Sequence, residues 1–93
     1  MSFNEFIQGA WGEHGDAPEA VAEKLPQALG MIEEEEQLPA VAALAVHVLG
    51  EHLGRWADGI GLIEALEEHE KAQSETPAAK ALLRSKAVLY RCA

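Results

Sequence analysis

The chain has little cysteine, few aromatic residues and few cations, and each shortage narrows what it can be. Its one cysteine, Cys92, excludes an intramolecular disulfide and fits a reducing compartment. Two tryptophans, two phenylalanines and one tyrosine are spread over 93 residues, and Ala and Leu outnumber the β-formers. That balance favours helix over sheet. No run of about 18 apolar residues is present to cross a bilayer. The start, Met1-Ser2-Phe3-Asn4-Glu5, lacks the cationic region of a secretory signal, so a cytoplasmic protein without membrane attachment is expected. Seven Lys and Arg face 16 Asp and Glu, a net charge of -9 that disfavours nucleic acid as a partner.

What is present is 48% apolar residues in a length suited to one domain, residues 1–93, near the lower limit for a core without disulfides or metals. The charge is unevenly spread. All 16 acids lie at or before Glu75 with only Lys24, Arg55 and Lys71 among them, whereas Lys80, Arg84, Lys86 and Arg91 follow without an acid.

Start and stop signals divide the chain into five helical segments. Ser2 and Glu5 form an S-x-x-E capping box ahead of Phe3, Phe6, Ile7, Ala10 and Trp11, with Gly12 and Gly15 breaking the pattern. Asp16 and Glu19 repeat the capping logic, with Pro18 in the first turn and Val21, Leu25, Ala28, Leu29 and Ile32 as one stripe. Pro26 predicts a kink near Leu25, and Glu33 to Glu36 predict a fraying end, because carboxylates oppose the dipole there. Pro39 opens a third helix, apolar on most sides and hence central, which Gly54 stops. A fourth starts near Trp56 or Ala57 and fades near Gln73, and Thr76 and Pro77 cap a fifth that holds Leu82, Leu83, Val88, Leu89 and Tyr90.

The chain also repeats itself. Gly12-Glu13-His14 recurs as Gly50-Glu51-His52 and Pro39-Ala40 as Pro77-Ala78, both at an offset of 38 residues. Two matches at one offset are the signature of stacked units that cannot bury their apolar faces alone. The segments then form unit one (1–37), unit two (38–75) and a fifth helix (76–93). Gly54-Arg55-Trp56-Ala57-Asp58-Gly59, followed by Ile60, Ile63 and Leu66, resembles the turn and second helix of the tetratricopeptide-repeat family; Gly15-Asp16-Ala17-Pro18-Glu19-Ala20 with Val21 is a fainter version without the aromatic. The period is longer than that family's, and no proline closes the second helix.

The resemblance implies an all-α fold of antiparallel helix-turn-helix repeats, a right-handed α-solenoid fragment whose first helices line a concave face holding a partner peptide or helix. By the 38-residue register the partner-binding positions are Glu5, Gly9, Gly12 and Glu13 on helix one, Ala43, His47, Gly50 and Glu51 on helix three, and Ala81, Ser85 and Val88 on helix five. The small residues would leave room for a ligand or serve close helix packing, and the glutamates would favour a basic partner. The basic fifth helix could lie against Glu64, Glu67 and Glu68 of its own chain or contact another copy, making a homo-oligomer. Its apolar residues exceed the needs of a cap, so the chain reads as part of a longer array or as a domain covered by another subunit.

Chemistry of other kinds finds less support. His14, His47 and His52 invite a metal reading, but residues 47 and 52 sit about 140 degrees apart on an α-helix and neither belongs to an H-E-x-x-H arrangement, so no metal or other cofactor is expected. No nucleophile, base and orienting group can be assembled, and Cys92 has no placed partner, so the chain does not read as an enzyme. Trp11 and Trp56 fall near the turns, where they would wedge helices together.

Overall fold

The computed structural model describes residues 2–72 and 76–92, and among these the fold is entirely helical. Helix α1 spans Phe3–Glu13, α2 Pro18–Lys24, α3 Leu38–Leu44, α4 Trp56–Glu67 and α5 Pro77–Cys92. Two of them continue in altered form. Past α2 the chain tightens into a 3-10 helix, Leu25–Met31, and past α3 it widens into a π-helix, Ala45–His52. No described helix is long and apolar enough to cross a membrane.

The local causes are those of the sequence, with four corrections. The Ser2 and Glu5 capping box forms, but Gly12 lies within α1, because a helical glycine costs stability without forbidding the conformation. Asp16 does not cap α2: Ala17 holds that position without a side-chain hydrogen bond, while the Asp16 N–H donates to the Glu13 carbonyl. Pro26 acts by converting the helix to 3-10 geometry, since it cannot donate to the next α-helical carbonyl. The run Glu33 to Glu36 is not a fraying end. The chain has already turned extended at Ile32, and the Gln37 side-chain carbonyl accepts from the Glu33 and Glu34 N–H groups before α3 begins.

Helix α4 ends at Glu67, short of Gln73, which lies outside the described residues. His69 accounts for the stop. Its Nδ1 accepts from the Lys71 N–H and its Nε2 donates to the Leu29 carbonyl at 3.0 Å, tying the turn to the 3-10 segment. Thr76 caps α5 by accepting from the Ala79 N–H.

Helix α1 packs on α2 and α3, α3 on α5, and α4 on both α5 and the π-helix, which α2 also touches. The molecule is a slab of 36 × 33 × 15 Å, a thickness of two helices. The third helix and its continuation are central, burying Leu38, Val41, Ala42, Leu44, Ala45, Val48 and Leu49. Gly59 on α4 is buried against Leu89, where an added Cβ would lie 3.1 Å from a Leu89 methyl, so a small residue there sets how closely α5 approaches.

Candidate functional site

The ten positions expected to contact a partner, with Val88, fall in three places. Ala43, Ala81, Ser85 and Val88 come together with Val46 and Arg84 around a shallow, mostly apolar depression of about 380 Å³ between α3 and α5. Glu5, Gly9, Gly12 and Glu13 stay on α1. Glu5 accepts from the Ser2 N–H, Glu13 pairs with Lys24 at 3.0 Å, and both glycines face open space. Gly50 is buried, and a Cβ there would sit 2.4 Å from the Trp56 ring, so it serves close helix packing, the other reading of the small residues.

His47 and Glu51 belong to the third place, at the end of α1 and along the π-helix. A π-helix bonds each residue to the fifth along, as the Leu53 N–H does to the Val48 carbonyl at 3.1 Å. Residues five apart are therefore stacked, as residues four apart are in an α-helix. The 140-degree separation narrows, and His47 Nε2 stands 3.2 Å from His52 Nε2. His14, just past the end of α1, completes the group: ring centroids are 4.9 Å from His14 to His47, 5.3 Å from His14 to His52 and 4.7 Å from His47 to His52. One nitrogen from each of the three rings lies within 4.8 Å of the other two.

Two of these rings are oriented from behind. His14 Nδ1 donates to the Trp11 carbonyl, and His47 Nδ1 lies 3.7 Å from the Glu51 carboxylate, one α-helical turn along in sequence. A donor fixed at Nδ1 leaves Nε2 as the lone-pair nitrogen. The Trp11 ring forms a wall, 5.3 Å from His14 and 5.5 Å from His47. It is 39% exposed and lies between α1 and the π-helix, whereas Trp56 is half-buried over Gly50 as a packing residue.

No protein-family model, curated protein or solved structure matches the chain.

The three histidines stand out in the sequence, but α-helical spacing across residues 45–52 separates two of them, and it is this assumption that the π-helix overturns. A signal was available in the duplicated Gly-Glu-His, since repeated tripeptides at the ends of paired helices bring equivalent side chains to one end of the molecule.

Proposed function

We propose that the chain is a protein-interaction module, a tetratricopeptide-like array that receives an apolar peptide or helix in the depression between α3 and α5. The supporting observation is the coincidence of Ala43, Ala81 and Ser85 at that depression, because small side chains let a partner backbone approach. The array reading draws on the successive packing of α1, α3 and α5 and on the two-helix thickness. The net charge of -9 favours basic flanks on the bound segment, steering its approach.

The test is selection from a random peptide-display library on the wild type and on Ala43→Glu/Ser85→Glu, with circular dichroism verifying that the variant folds. Peptides that bind the wild type and lose affinity at least tenfold for the variant support the reading. Peptides whose binding is unchanged, or which perturb amide resonances away from α3 and α5, refute it.

A second reading, a helical homo-oligomer, is favoured by α5. Leu83 and Tyr90, seven residues apart and so near one another in azimuth, are 56% and 57% exposed on a helix whose charges are all positive. Sedimentation from low to high salt separates the two. An oligomer that dissociates with salt and with Leu83→Glu supports it, and a monomer throughout rejects it.

A further inference from the structure

We propose that His14, His47 and His52 form a three-imidazole site for a first-row divalent ion of the zinc, nickel and copper class. The inference is independent of the peptide groove and stands or falls separately from it.

The donors come first. Three neutral imidazoles with no carboxylate among the converging atoms are a nitrogen set, which suits Zn2+, Ni2+ and Cu2+ and not Ca2+ or Mg2+. Distances are next. Zn–N bonds of about 2.0–2.1 Å in tetrahedral geometry place ligand nitrogens about 3.3–3.4 Å apart. His47 Nε2 and His52 Nε2 stand at 3.2 Å, so that edge of the tetrahedron is already set. The other two edges are no longer than 4.8 Å, so binding requires only a small inward movement of the half-buried His14.

Protonation is third. Across the contact between the two Nε2 atoms one ring must donate to the other. A cation takes the place of that shared proton, and the ring that gave it up then holds its proton at Nδ1. His14, donating from Nδ1 to the Trp11 carbonyl, is already in the tautomer that ligation needs. The carbonyl behind His14 is the kind of support that raises ligand basicity and fixes ring orientation in metal sites, and the Glu51 carboxylate, 3.7 Å from His47 Nδ1, is near enough to become a second.

Three protein ligands leave a fourth position for water or another small ligand. The ion would also tie the end of α1 to the π-helix, cross-linking the two Gly-Glu-His copies.

The experiment uses the untagged chain, stripped of metal with a chelator and titrated with Zn2+ at pH 7.5 by calorimetry. One ion per chain is expected. His14→Ala, His47→Ala and His52→Ala should each weaken binding at least tenfold, Glu51→Gln roughly ten- to a hundredfold, and His69→Ala should leave it unchanged. Cu2+ should quench tryptophan emission in the wild type and much less in Trp11→Phe, which retains the ligands. The thermal midpoint should rise with Zn2+ in the wild type and stay fixed in His47→Ala. No saturable binding, half an ion per chain, or an affinity unaffected by loss of His14 would each overturn the three-ligand site. Circular dichroism of the apo variants separates loss of the site from loss of the fold.

Discussion

The two copies of Gly-Glu-His have the same three side chains and different surroundings. The first ends α1 in ordinary helical geometry: Gly12 faces open space, Glu13 reaches across to Lys24, and His14 turns back to the Trp11 carbonyl. The second lies in a π-helix, where Gly50 is pressed under Trp56, Glu51 stands by His47 and His52 meets His47. The wider turn of the second copy brings its histidine toward the first. The helix type decides what each copy of the motif touches.

The largest test of that difference is Gly→Ala at both copies. At Gly50 the added methyl would sit 2.4 Å from Trp56 Cζ3 and 3.1 Å from a Leu89 methyl, so the indole must move. We expect Gly50→Ala to cost about 1–3 kcal/mol by overpacking. Gly12→Ala meets nothing within 4 Å and should gain up to about 1 kcal/mol from helix propensity. For a chain of this size each kcal/mol moves the melting midpoint by about 4–8 °C, so two thermal scans decide it. Equal shifts in the two variants would mean that the copies are packed alike.

The turns that follow the copies sharpen the comparison. After His52 the chain leaves the π-helix through Gly54 at φ +66, where its N–H donates to the Gly50 carbonyl; Gly15 in the first turn is not left-handed. Gly54→Ala should therefore cost about 1 kcal/mol, as a Cβ is disfavoured in that region. Gly15→Ala should be close to neutral in the same denaturant titration.

These contrasts mark where the fold was legible. Helix existence could be read because capping residues, prolines and apolar stripes act locally: Ser2, Pro18, Pro39, Thr76 and Pro77 all stand at helix starts. Residue pairs across the fold were less so. That the basic fifth helix would lie against Glu64, Glu67 and Glu68 was one of two alternatives, and charge alone could not choose between the chain's own acids and those of another copy; Lys86 meets Glu67. The π-helix was not legible at all. Its register is imposed by packing, with Leu49, Gly50 and Val48 buried together beneath α4 and α5, and no propensity distinguishes residues 45–52 from an α-helix. The convergence of the three histidines follows from that register, so it was hidden with it, while Ala43, Ala81 and Ser85 share one depression because α3 and the middle of α5 are regular.

The smallest effects concern the glutamates. Glu13 pairs with Lys24 at 3.0 Å, but the side chains are 40% and 52% exposed, and Glu13→Gln should change stability by no more than about 0.5 kcal/mol. Glu67 pairs with Lys86 at 2.7 Å with side chains 27% and 22% exposed, joining α4 to α5. Hydrogen bonding to Glu67 raises the Lys86 pKa above its usual 10.5, against the opposing effect of burial. A raised lysine contributes stability fully below its unfolded value and loses it as pH climbs through the folded one. The pair's contribution, about 1 kcal/mol or less for a pair still partly in water, should therefore be constant at neutral pH and fade only above pH 10.5. Denaturant titrations of the wild type and Lys86→Met at pH 7 and pH 11 measure it. A gap that narrows from pH 7 to pH 11 is expected; an equal gap at both would assign the loss to packing of the lysine stem and not to its charge.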